Sequence, residues 1–115
     1  MVDARLKASR KQEQRVAAHY GGRRTPGSGN GWARKNDVRT DTHSFEMKTT
    51  GKGQYTLKAK ELEEGEKNAL IDGRDFVFGI ELNGRNWIVL SEEDFELLLH
   101  EAGGLGGTQE PSSST

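Results

Sequence analysis

Apolar and polar residues follow two periods along this chain, one helical and one extended. Between residues 3 and 20, Leu6, Ser9, Glu13, Val16, Ala17 and Tyr20 recur at helical spacing and predict an amphipathic helix. Gly21-Gly22 closes it. The stretch RRTPGSGNGWARKN that follows is rich in Gly, Pro and Arg and predicts a loop. A short strand is expected from Asp37-Val38-Arg39, a turn near Thr40-Asp41-Thr42, and a second strand from His43 to Thr50. After Gly51-Lys52-Gly53, residues 54–57 are extended or enter a helix over 59–71, with Leu62, Ala69 and Leu70 apolar and Gly65 a weak point. Asp72-Gly73 ends that element.

The runs DFVFGIEL (75–82) and NWIVL (86–90) flank Asn83-Gly84-Arg85, a strong short-range signal for a hairpin. Their nearly continuous apolar character predicts central strands covered on both faces, with Trp87 in the core. Ser91, with Asp94 three residues on, predicts the N-cap of a last helix. Phe95, Leu98, Leu99 and Ala102 are its expected buried stripe, and Gly103-Gly104 its end. The order helix, hairpin, helix, hairpin, helix predicts an α/β fold with one central mixed sheet and helices packed on it. A single domain over residues 1–102 and a disordered tail over 103–115 are expected.

Composition narrows the function classes. Only 31% of residues are hydrophobic, so the ends are expected to lie outside the core. The absence of cysteine excludes disulfides and thiolate metal sites. No apolar run approaches the roughly 20 residues that span a bilayer. The basic N-terminus lacks the apolar stretch of a signal peptide, so the cytoplasm is the expected compartment. No phosphate-binding Walker loop is present, and no nucleotide cofactor is expected. His19, His43 and His100 share no zinc-site spacing.

The net charge of -1 conceals a polarised chain. Residues 1–35 hold nine Lys or Arg against two acids, whereas residues 61–115 hold three against thirteen. A basic front half suits a phosphate backbone, because each phosphate neutralised releases condensed counterions. Arg23, Arg24, Arg34, Lys35 and Lys52 are the candidate phosphate contacts, and Trp32 and Tyr55 candidates for stacking on unpaired bases, although Tyr55 also suits a sheet.

The chemistry concentrates in NDVRTDTHSFEMKTT. Along a strand, side chains alternate faces, so Phe45 and Met47 point one way and Glu46 and Lys48 the other, about 7 Å apart. Hairpin pairing can bring Asp37 beside Glu46. Two carboxylates and one amine at one spot suit phosphodiester hydrolysis: hard oxygens for Mg2+, and an ammonium to orient water or stabilise developing charge. Glu13, on the apolar face of the first helix, needs a metal, a cation or a water cluster as partner unless it reaches solvent at the stripe's edge. Gly27-Ser28-Gly29 can bring backbone N–H groups and a hydroxyl close to phosphate.

Taken together, Glu13, the Gly27-Ser28-Gly29 loop, Asn36-Asp37-Val38 and Phe45-Glu46-Met47-Lys48 resemble the archaeal-type Holliday-junction resolvases and related phage proteins of the PD-(D/E)xK nuclease superfamily. The resemblance covers residues 10–60 by motif and 10–100 by element order. It implies a restriction-endonuclease-like fold, dependence on Mg2+ (with Mn2+ able to substitute), and a homodimer that cuts branched DNA, in the host cytoplasm where such a protein is phage-encoded. Asp37 and Glu46 would then be direct metal ligands and Glu13 a helix-borne acid that helps hold the metal. Lys48 would be the catalytic lysine and Ser28 the loop serine near the scissile strand. Asn36 departs from the small residue, Pro or Gly often found before the Asp. The main alternative is a catalytically silent DNA-binding or replication-accessory protein on the same fold. A third is a nuclease acting on RNA or on duplex ends.

Overall fold

The computed structural model describes residues 4–25 and 36–104, with side chains from Lys7 onward. Eight elements follow in order: α1 (Ala4–Tyr20), β1 (Arg23–Arg24), β2 (Val38–Arg39), β3 (His43–Thr49), α2 (Ala59–Ile71), β4 (Asp75–Leu82), β5 (Arg85–Val89) and α3 (Glu92–Glu101). The strands form one sheet in the order β1-β2-β3-β4-β5. β3 and β4 run parallel, with α2 as the crossover between them, and the remaining neighbours are antiparallel. The molecule is therefore an α/β protein with a mixed sheet and helices around it, an architecture compatible with a restriction-endonuclease-like fold.

Strand alternation divides the core in two. Phe45, Met47 and Val77 point toward α1 and pack with Val16 and Val38. Phe76, Phe78 and Ile80 point the opposite way and pack with Ala69 of α2. Gly65, expected as a weak point, is a packing device: a Cβ there would overlap the Phe76 ring. The missing side chain lets α2 approach β4 closely, which outweighs the lower helix propensity. At the hairpin, Asn83 (φ 49°) and Gly84 (φ 76°) both adopt the left-handed backbone that the two-residue turn requires. Ser91 caps α3, its Oγ accepting from Asp94 N at 3.1 Å.

The structure corrects several local expectations. Arg23–Arg24, read as loop, is a two-residue edge strand paired with β2. β5 is the opposite edge rather than a covered strand, and Trp87 is 47% exposed, with the Arg85 guanidinium 4.5 Å from its ring centroid. A continuous apolar run is compatible with burial on two faces, but of these two strands β4 alone has a neighbour on each side among the described residues. α3 contains no buried residue; Phe95 and Leu98, expected in its buried stripe, are exposed. Leu70 on α2 is likewise exposed. The predicted tail lies outside the described residues from Leu105 on. Among the described residues no helix is long and apolar enough to cross a membrane.

One ionic cluster ties the end of α2 to β2. Asp72 accepts two hydrogen bonds from Arg39 Nη1 (3.2 and 3.1 Å) and one from Arg74 Nη1 (2.7 Å). Burial alone would push its carboxyl up. The Arg39 hydrogen bonds and the charges of Arg74 and Arg39 outweigh it and hold the group below the usual carboxylate range. A folded-state pKa below the unfolded one gives stability that is present above the unfolded pKa and lost as pH falls through the folded one. Asp72→Asn is therefore expected to lower the melting temperature at pH 7, with the difference from the parent chain shrinking below pH 4. A deficit that persists unchanged in acid would overturn the assignment.

Candidate functional site

The site is built where β2 leaves β3. The antiparallel register pairs Val38 with Phe45 and Arg39 with Ser44, and Asp37 comes just beyond the paired residues. Here the ladder stops. Asp37 N still donates to Phe45 O at 2.8 Å, but the next strand donor, Met47 N, is taken by the Asp37 carboxylate, with Oδ2 at 2.9 Å. The side chain replaces a backbone carbonyl and allows the two strands to part. On the other side, Thr25 N donates to Asp37 O at 2.8 Å.

Asn36 holds this corner. It is buried, and its Nδ2 donates to Ser44 Oγ at 2.8 Å and to Gly65 O at 3.0 Å. Asn68 Nδ2 approaches its Oδ1 at 3.4 Å. The residue that departs from the resolvase pattern thus pins the start of β2 to both β3 and α2. Its buried amide is satisfied locally, as burial of a polar group demands.

Glu46 and Lys48 emerge from β3 on its α2 face, as alternation requires, and line a cavity of about 60 Å³ with Asn36, Glu61 and Asn68. Lys48 Nζ lies 3.5 Å from Glu46 Oε2 and 3.9 Å from Glu61 Oε2. Tyr55 donates its phenol proton to Glu61 Oε2 at 2.6 Å. Burial raises the Tyr55 pKa first, and the hydrogen bond to Glu61 and the charges of Glu61 and Glu46 raise it further, so the phenol remains a donor.

Glu13 approaches from α1. Its side chain is 14% exposed and is met by Arg24 Nε at 3.1 Å, so its partner is a cation from the edge strand. Burial pushes the Glu13 carboxyl above its usual value, the Asp37 charge adds to this, and Arg24 opposes it. Glu13 and Asp37 are therefore close enough to feel each other's charge. One residue earlier, Gln12 is buried and donates Nε2 to Lys48 O at 2.7 Å, while its Oε1 has no hydrogen-bond partner.

Glu46 and Lys48 thus share the cavity on the α2 face, whereas Glu13 comes from α1, on the side of Phe45 and Met47, and is within electrostatic reach of Asp37. Arg23 lies exposed on β1, and Arg24 is engaged by Glu13. Lys52 is exposed and lines a larger open groove with Thr49, Thr50, Glu81 and Asn83. Ser28, Trp32, Arg34 and Lys35 lie outside the described residues. Scans of protein-family models, curated proteins and solved structures return no match.

Gln12 and Glu61, which sequence reasoning left aside, belong to these surroundings, while Tyr55, read as a stacking or sheet residue, packs on Phe78 and donates to Glu61. Gln12 was legible in principle, since it lies four residues before Val16 on the buried stripe. The Tyr55–Glu61 contact links a loop to the first turn of α2, and no periodicity signals it.

The donor set suits a hard divalent cation. Mg2+ takes one or two carboxylates and completes its shell with water. Asp37 and Glu46 would offer such oxygens. Among the described residues, no three His, Cys, Asp or Glu side chains are gathered as a ready-made cage. Any ion here would therefore rely on water for most of its shell.

Proposed function

We propose that this chain is a Mg2+-dependent endodeoxyribonuclease of the PD-(D/E)xK type, acting on branched DNA such as a Holliday junction. One observation carries the reading. The Asp37 carboxylate is anchored on Met47 N where β2 departs from β3, and the neighbouring residues of β3, Glu46 and Lys48, form an ion pair on one face of that strand. Asp37 and Glu46 would hold the ion, with Glu13 supporting from α1. Bound Mg2+ would supply Lewis-acid polarisation of the phosphate and hydroxide at neutral pH. Lys48 offers N–H donors and a positive charge to the phosphate oxygens as negative charge grows on them. Arg23 and Lys52 provide exposed cations for the backbone on either side.

Action as a cytoplasmic homodimer belongs to the same reading. A dimer would have apolar side chains to cover on both elements, Trp87 and Ile88 on β5 and Phe95, Leu97 and Leu98 on α3.

Exposed Arg23 and Lys52 would serve equally in a second reading, a DNA-binding protein without nuclease activity. Incubation with a four-way junction, a flap, linear duplex and single strands, with and without Mg2+, decides between them. The nuclease reading expects cleavage of branched substrates in Mg2+ and none in EDTA. Binding without cleavage in Mg2+ or Mn2+ selects the alternative.

A further inference from the structure

Lys48 sits between two carboxylates that come from different elements. Glu46 is on its own strand and is a ligand candidate in the reading above. Glu61 is in the first turn of α2 and has no part in that reading. Several features hold Glu61 in place. The Tyr55 phenol donates to its Oε2 at 2.6 Å, the short range of a charge-assisted hydrogen bond. The partial positive charge at the α2 N-terminus favours an acid there. The Tyr55 ring is itself fixed against Phe78, with centroids 6.1 Å apart, and Phe78 is fully buried.

The two carboxylates have different availability. If Glu46 shares its charge with a metal, its hold on Lys48 weakens. Glu61 cannot follow, because the phenol and the helix turn retain it. The same Oε2 that accepts from Tyr55 lies 3.9 Å from Lys48 Nζ, so the amine keeps one anionic neighbour on the α2 side of the cavity.

We propose that Glu61, locked by Tyr55, is the positioning residue for Lys48. It holds the amine over the cavity between β3 and α2 while Glu46 is engaged elsewhere. The catalytic part of this inference rests on the nuclease reading; the positional part does not.

The test uses the full chain with isotope-labelled lysine, and compares Glu61→Gln and Tyr55→Phe with Glu63→Gln, an exposed neighbour on α2, as control. In Glu61→Gln the Lys48 side-chain resonances should shift and its order parameter fall. Tyr55→Phe should show a smaller change in the same direction, and Glu63→Gln none. On a branched DNA substrate in Mg2+, Glu61→Gln should lower kcat by roughly tenfold, the scale of one charged contact, with KM within about twofold. A purely structural role would lower the melting temperature without moving the Lys48 signals or splitting kcat from KM, and that result overturns the proposal. So does an unchanged Lys48 order parameter in Glu61→Gln or, should that variant not fold, in Tyr55→Phe. If the parent chain cuts no DNA, the nuclease reading fails by itself, and the Lys48 resonances still decide whether Glu61 positions the amine.

Discussion

Asp37→Asn is expected to remain folded and to bind branched DNA, yet to lose Mg2+-dependent cleavage by roughly 10³-fold or more, the scale of removing an electrostatic contribution to the transition state. The substitution separates two jobs that one side chain performs. An amide oxygen can still accept from Met47 N, so the parting of β2 and β3 survives. The negative charge does not survive, and with it goes the affinity for a hard cation. Lys48→Ala should give the same kinetic result by another route. Its ion pairs at 3.5 and 3.9 Å join partly exposed groups, which contribute little to stability, so the loss should fall on rate rather than on folding. Single-turnover cleavage of a four-way junction, a gel-shift titration and calorimetry of Mg2+ binding check the three parts together. Cleavage at the parent rate in either variant refutes the assignment of the centre. Loss of DNA binding along with cleavage would show that these residues belong to the binding surface instead.

The largest effect on stability is expected at Phe78. It is 0% exposed at the centre of β4, packed against Phe76, Tyr55 and Ala69 on the α2 face. Phe78→Ala removes an aromatic side chain that no neighbour can replace and should cost about 3–5 kcal/mol, by the transfer and cavity contributions together. Against a total stability on the order of 5–15 kcal/mol, this leaves a large unfolded fraction at physiological temperature. The contrast is with Trp87→Ala. Trp87 is the larger residue and sits in an equally apolar run, but β5 is an edge and nearly half of the side chain is exposed. Its truncation should cost less, about 1–2 kcal/mol, since nearly half of the residue is already in solvent and the rest meets Arg85 and the groove beside α1. Urea unfolding of both variants tests the ranking. Equal costs would mean that β5 is covered in solution, and the cost at Trp87 would then depend on protein concentration.

Comparison of Phe78 with Trp87 shows where local pattern stops being informative. DFVFGIEL and NWIVL look alike as sequence, and both were expected at the centre of the sheet. Their fates differ because β3 pairs with β4 in parallel through the α2 crossover, while none of the described residues pairs with the far side of β5. The same holds for α3. Its cap at Ser91 and its apolar spacing are local properties and were readable, whereas burial of Phe95 and Leu98 depended on a neighbour that the described chain does not provide. At the candidate site, the shared face of Glu46 and Lys48 follows from strand alternation alone. The Asp37–Met47 bond, the buried Asn36 bridge and the Tyr55–Glu61–Lys48 chain each join residues whose separation no period encodes.

By itself, then, the order of residues determined what is repeated or adjacent: the bounds of α1 and α2, the Asn83-Gly84 turn, and the pointing of each β3 side chain. These follow from backbone geometry within a few residues, at periods of 3.6 and 2. Tertiary structure alone decided which strand became an edge, which apolar stripe stayed uncovered, and which cation met Glu13. Those outcomes depend on contacts between distant segments, whose energies are settled only when the whole chain has packed.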